Sequence, residues 1–422
     1  MKKTIFNFLF KNSSNKQIIV KNTLWLTAAE IGSKFLLFLI TIFIVRYLGV
    51  EMYGKYSFTV AFTGMFSVLV DFGLGTLILQ EFSVNKRAIS YNFGSLVILK
   101  FFLALITYSL VMLIVPFMKI SADVRLMVYF AGAYMIIQSF ALMFPTVFQA
   151  FEKMQFNFII RIVSNVILFL LIFTVILSHL PVNTIFIAYI ISAFITVVLS
   201  SVLINRYLFK IKYSLDTEYI RQALRRSRPL FLGNICTTLY TYVDTTLLSS
   251  LRSYQEVGLY QAAYKILYVF QSLGLIHVVL FPQMAKLYVT NKEKLNDFLK
   301  KIISLSFILF IPALAIIGVF RYEIIQLIYG PRYNSAANLM FVLIAGGYIA
   351  FISGFFVNIL LIKKKQIIWL LTIAVSLIVN IITNIVLIPI YGNLGSAIAY
   401  GIGALVSLCL LILLSRKHSS LF

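Results

Sequence analysis

Twelve runs of predominantly apolar residues recur along this 422-residue chain, each close to the roughly 20 residues that an α-helix needs to cross a hydrocarbon core about 30 Å thick. They lie at 23–46, 55–80, 93–118, 125–149, 157–179, 184–205, 229–251, 257–285, 302–320, 336–361, 367–388 and 394–414. Runs of this length leave little choice of architecture. In lipid only a helix or a closed barrel satisfies its own backbone, and a barrel strand would be about half as long. Composition agrees: with 61% hydrophobic and 12% charged residues, the chain carries more apolar surface than a water-soluble core can hide. The sequence predicts an all-α polytopic membrane protein.

Charge then orients the chain. The 36 Lys and Arg against 13 Asp and Glu give a net charge of +23, which in a soluble protein would point to nucleic acid. Here the cations fall between the apolar runs, so topology accounts for them and no nucleic-acid partner is expected. Segments on the N-terminal side of the membrane hold 25 basic residues and those on the other side hold 7. Because short cytoplasmic loops collect Lys and Arg, both termini are expected in the cytoplasm, with an even number of crossings.

The longest of these basic segments, 206–228, carries Arg206, Lys210, Lys212, Arg221, Arg225, Arg226 and Arg228 among apolar and aromatic residues. It reads as a cytoplasmic amphipathic linker between an N-terminal lobe, 1–205, and a C-terminal lobe, 229–422. The lobes look like copies. An offset of 211 places Phe144, Gln155, Ala188 and Tyr189 on Phe355, Gln366, Ala399 and Tyr400; an offset of 204 places Gly54 and Tyr56 on Gly258 and Tyr260. Six spans per copy is even, so the two six-helix lobes are expected to share orientation and to be related by a pseudo-two-fold axis along the membrane normal.

No hydrolase triad, phosphate loop or metal-ligand spacing is present, so neither an enzyme nor a cofactor or metal is expected. The unusual residues are ionisable groups at membrane depth, each costing roughly 2.5–3.5 kcal/mol at a helix centre. They are Glu30, Lys34, Asp71, Lys100, Arg161, Asp244, Lys265 and His277. Lys34 lies near the middle of its run, too deep for its side chain to reach either interface, and with Lys265 is the expected cation for an anionic ligand. The plainer alternatives are neutralisation of Lys34 by Glu30 one turn away, pairing of Lys265 with Asp244, and snorkelling of Lys100 and Arg161 to the headgroups. The run at 229–251 is wet for a membrane helix. Asn234, Tyr240 and Tyr242, with Gln261, Tyr264 and Tyr268 on the next run, suit a sugar, although helix-to-helix hydrogen bonding explains such residues equally well. Glu30, Asp71, Asp244 and His277 are candidates for ion coupling.

With these residues in view, the chain resembles the Wzx-type lipid-linked oligosaccharide (O-antigen/polysaccharide) flippases of the multidrug/oligosaccharidyl-lipid/polysaccharide exporter superfamily. The resemblance rests on Asn22 to Trp25, Arg46-Tyr47-Leu48-Gly49 with Tyr53-Gly54-x-Tyr56, Asp71-Phe72-Gly73-Leu74, Asp244, and Val257-Gly258-Leu259-Tyr260 with Ala262 to Lys265. It continues through Phe281-Pro282 and Tyr329-Gly330-Pro331-x-Tyr333, then Asn384-x-x-Leu387-Ile388-Pro389-x-x-Gly392-x-x-Gly395-Ser396-Ala397. It implies twelve spans in two lobes, alternating access, and a polyprenyl-diphosphate oligosaccharide moved from the inner to the outer leaflet of the bacterial cytoplasmic membrane. Membrane lipids and the polysaccharide polymerase machinery are the further partners it implies. A cation-coupled drug antiporter of the same superfamily is the alternative. A membrane glycosyltransferase or polymerase is weaker, since no outer loop exceeds about 20 residues, the length of a single span.

Overall fold

The computed structural model describes residues 15–417, leaving undescribed the side chains of residues 15–24, 26, 86–90 and 416–417. The basic segment before residue 15 and the side chains of Asn22, Lys86, Arg87, Arg416 and Lys417 therefore lie outside the described residues. The described chain is helical, with no strand.

The first helix, α1 (Asn15–Asp71), holds the first apolar run and most of the second in 57 residues. The turn between the runs is not a loop but a single bend at Gly49, with φ 70° and ψ 176°, a conformation that a residue with a side chain resists. A second break follows at Phe72 (φ 47°) and Gly73 (φ 77°), after which α2 (Leu74–Val84) continues the second span. Helices α3 (Lys86–Ile114), α4 (Ala122–Ala150), α5 (Met154–Leu177), α6 (Asn183–Tyr207) and α7 (Thr217–Leu251) come next. Then α8 (Tyr254–Phe270) and α9 (Leu275–Thr290) form one span interrupted by the 3-10 turn Gln271–Gly274. The remainder is α10 (Lys292–Val319), α11 (Arg321–Tyr329), α12 (Ala336–Ile362), α13 (Gln366–Tyr391) and α14 (Asn393–Lys417).

Among the described residues, ten helical stretches are long and apolar enough to cross a membrane. The first of them, Thr27–Val84, contains both runs of α1 and is bent between them. Helix α7 is not among the ten because it is too polar, the same wetness that marks residues 229–251 in the sequence. Dividing the first stretch at Gly49 and adding α7 gives the twelve spans of the sequence reading. The protein is a multi-pass membrane protein.

Two compact units are present: residues up to Ile44 with Phe62–Ile235, and Val45–Ala61 with Cys236–Phe422. In the first, Phe82, Phe93, Phe144, Phe148 and Ala223 are all within 2% of complete burial and form one core. The segment after α6 is held against α3: the Ser95 hydroxyl donates to the Ser214 carbonyl at 2.6 Å, and Gly94 has no room for a Cβ, which would stand 2.0 Å from the Lys212 carbonyl oxygen. Arg226 and Tyr219 both donate to Glu81, at 2.7 and 3.3 Å. The basic 206–228 segment is thus a docked strap that runs into the start of α7.

In the second unit, the repeat offset of 204 reappears as a packing contact. A Cβ on Gly54 would meet the Tyr254 carbonyl oxygen at 1.7 Å, and one on Gly258 would meet the Val50 carbonyl oxygen at 2.0 Å. Residues 50 and 54 exchange roles with 254 and 258, and only glycine lets the backbones approach so closely. Residues in and beside the motifs close helix ends. Arg46 donates to the Ile328 and Leu327 carbonyls at 2.8 and 2.5 Å, Arg252 to those of Ile388 and Pro389 at 3.2 and 2.6 Å, and the Tyr333 hydroxyl to Val45 at 2.9 Å.

Candidate functional site

In the first unit the buried charges are paired across long stretches of sequence. Lys100 is fully buried and donates to the Asp71 carboxylate at 2.9 Å. Arg161 donates to Glu30 at 2.5 Å, each side chain about a third exposed (32% and 27%). Snorkelling is therefore not what these two cations do. A charge in hydrocarbon is most cheaply held by an opposite charge on a neighbouring helix, and both partners were within reach.

Beside the Arg161–Glu30 pair is a cavity of about 390 Å³ between α4, α5 and α6. Each helix presents to it residues spaced by three and four, the spacing of one helical face: Gln138, Leu142, Pro145 and Gln149 on α4, Arg161, Asn165 and Leu168 on α5, and Tyr189, Ala193 and Thr196 on α6. Thr196 donates to the Ser164 hydroxyl at 2.7 Å and Ser192 to the Ser164 carbonyl at 2.9 Å, zipping α5 to α6. The Tyr134 and Tyr189 rings lie 5.1 Å apart at 52°. Among the described residues, the side-chain amides of Gln138, Gln149 and Asn165 make no hydrogen bond.

The second unit treats charge differently. Asp244 on α7 is 3% exposed and accepts from the Tyr260 hydroxyl at 3.0 Å and the Asn384 amide at 2.8 Å, with the fully buried Asn380 adjoining. All of these neighbours are neutral. Lys265 is half-buried and, among the described residues, makes no ion pair or hydrogen bond, so its alternative pairing with Asp244 is absent. Around them Gln261 donates to Thr245, Gln271 donates to the Tyr400 hydroxyl at 3.0 Å, and the rings of Tyr240 and Tyr264 pack on Tyr400 at 6.4 and 6.2 Å. A second cavity of about 250 Å³ is lined by Tyr240, Trp369, Ser353, Ser376 and Ser407.

Residues 19–288 of the chain match the polysaccharide biosynthesis protein family. The chain belongs to that family. An uncharacterized membrane protein of Methanocaldococcus jannaschii, MJ1068, is 21% identical over 376 residues, covering 79% of this chain and 73% of that protein. The fold is that of a lipid II flippase, MurJ, in an inward closed conformation, with a TM-score of 0.76 at 15% identity over 92% of this chain and 86% of the other. It is also that of an inward-facing multidrug MATE transporter of the MOP superfamily, with a TM-score of 0.68 at 14% identity over 98% and 97%. A Vibrio cholerae MATE transporter, VcmN, is similar too, with a TM-score of 0.62 at 16% identity over 94% and 96%.

For this family member, the residues singled out from sequence divide into three groups. Glu30 and Asp71 are engaged by Arg161 and Lys100. Asp244, Gln261, Tyr240 and Tyr264 belong to the internal network of the second unit. His277 is packed between Phe351 and Phe355 at ring separations of 4.8 and 4.5 Å, its carbonyl held by Asn358 at 2.8 Å. Lys34, Tyr242 and Asn234 are half-buried and Tyr268 is exposed. Sequence reasoning missed Gln138, Gln149 and Asn165. They carry no charge and so do not stand out in a search for ionisable groups; their spacing on single helix faces is the signal that finds them.

Proposed function

We propose that this protein is a Wzx-type flippase that moves a polyprenyl-diphosphate-linked oligosaccharide from the inner to the outer leaflet of the bacterial cytoplasmic membrane for surface polysaccharide assembly. Family membership over residues 19–288 carries the reading. The physical problem is one-sided: the prenyl tail can stay in lipid, whereas a diphosphate and its sugars must be sheltered across about 30 Å of hydrocarbon. Lys34 and Lys265 meet the diphosphate, and Asn234, Tyr242 and Tyr268 contact sugar. Asp244, held by neutral groups, is the coupling residue for a proton or sodium ion.

A cation-exporting antiporter is the rival, since the fold is shared with MATE transporters. It needs free carboxylates at membrane depth. Glu30 and Asp71 are occupied by Arg161 and Lys100, which leaves Asp244 for a coupling ion and narrows the sites open to a cationic drug. In cells making a surface glycan that depends on this protein, Lys34→Ala and Lys265→Ala are expected to cut surface glycan severalfold while protein level holds. Unchanged glycan in both variants would remove the diphosphate assignment.

A further inference from the structure

We propose that the cavity between α4, α5 and α6 is a glycan subsite, which grips neutral sugar units of the lipid-linked substrate through Gln138, Gln149 and Asn165. The inference rests on the flippase reading and adds a site to it.

An amide side chain at membrane depth is costly unless it is hydrogen-bonded. Three amides without a hydrogen bond among the described residues, Gln138 and Asn165 within their spans and Gln149 at the end of its own, line one cavity and point to an occupant. The internal repeat supplies the control. At the offset of 211 the two cavities are built from equivalent positions: Leu142, Thr146, Asn165, Ala193 and Thr196 in one, Ser353, Val357, Ser376, Ala404 and Ser407 in the other. The same scaffold places Ile349, Leu360 and Ser376 where the first unit has Gln138, Gln149 and Asn165. Packing thus does not require amides at these positions, and the cavity carrying them is the larger, about 390 against about 250 Å³.

The chemistry of the lining selects the ligand. An amide offers an acceptor oxygen and two donor hydrogens, matching hydroxyl groups that also donate and accept. The one cation in the lining, Arg161, is neutralised by Glu30, so the cavity attracts neither a diphosphate nor a cationic drug. The Tyr134 and Tyr189 rings give an apolar wall for the C–H face of a sugar. The volume lies within the roughly 300–1,000 Å³ of small-molecule sites.

The test uses the purified full chain in lipid nanodiscs with two probes, a polyprenyl diphosphate bearing a neutral disaccharide and the same polyprenyl diphosphate without sugar. The wild type is expected to bind the glycosylated probe more tightly. Replacing Gln138→Ile, Gln149→Leu and Asn165→Ser together, the residues the second unit carries, should weaken the glycosylated probe about tenfold and leave the bare one unchanged. The melting temperature should hold or rise, because amides lacking partners are removed; Asn165→Ser alone gives the same loss in smaller measure if the triple variant does not fold. Equal binding of the two probes by the wild type, as for a cavity that holds only water, or a glycan preference retained in the variants, would overturn the subsite and leave the flippase reading standing. Failure of the wild type to bind either probe would overturn both.

Discussion

The two units are built on one helical plan and handle polarity in opposite ways. In the first, Lys100 and Arg161 have oppositely charged partners, and the side-chain amides of Gln138, Gln149 and Asn165 make no hydrogen bond among the described residues. In the second, Asp244 is surrounded by neutral hydrogen-bond donors, Lys265 has no ion pair among the described residues, Gln261 is bonded to Thr245 and Gln271 to Tyr400. The repeat-equivalent tyrosines make the contrast concrete: Tyr189 lines an amide-rich cavity, whereas Tyr400 sits at the centre of an internal network. A duplicated membrane fold can therefore divide its work, one copy exposing neutral polarity and the other retaining charges that make no ion pair among the described residues.

Breaking a pair in the first unit should have the largest effect. Asp71→Leu leaves Lys100 buried without its anion and is expected to cost about 3 kcal/mol or more in unfolding free energy, with most of the loss recovered when Lys100→Met is added. Thermal unfolding of the two variants decides it, and equal destabilisation of single and double variants would show that the pair is not the source. In the second unit, Asp244→Asn removes the charge while keeping the shape. If Asp244 binds a cation, sodium or acid should stabilise the wild type by up to about 2.7 kcal/mol at a hundredfold excess over Kd, and the variant not at all. The smallest expected change is in Glu30→Gln. Its pair is partly exposed, so less than about 1 kcal/mol is lost, but Arg161 becomes an unneutralised cation in the cavity. The variant should gain preference for an acidic sugar over a neutral one, readable by competition between polyprenyl diphosphates bearing an acidic and a neutral disaccharide.

Much of the fold is legible in the sequence. Helix length in lipid is fixed by bilayer thickness, so the apolar runs located the spans, and the repeat offset of 211 aligns α4, α5 and α6 with α12, α13 and α14 to within a few residues. Gly49 was harder: a tight turn between two spans and a bend inside one helix carry the same sequence, and only the backbone angles separate them. The ion pairs were illegible for a related reason. Asp71 and Lys100 are 29 residues apart and Glu30 and Arg161 are 131 apart, and periodicity gives the face of each helix without saying which helix it meets. Of the family motifs, Arg46, Gly54, Gly258 and Pro389 mark helix ends and crossings rather than ligand contacts.

The chain passes from one unit to the other after Ile44, after Ala61 and after Ile235. All three joints fall inside continuous helix, two in α1 and one in α7. A break at any of them would sever a helix, so neither unit can be excised from the chain as one uninterrupted segment.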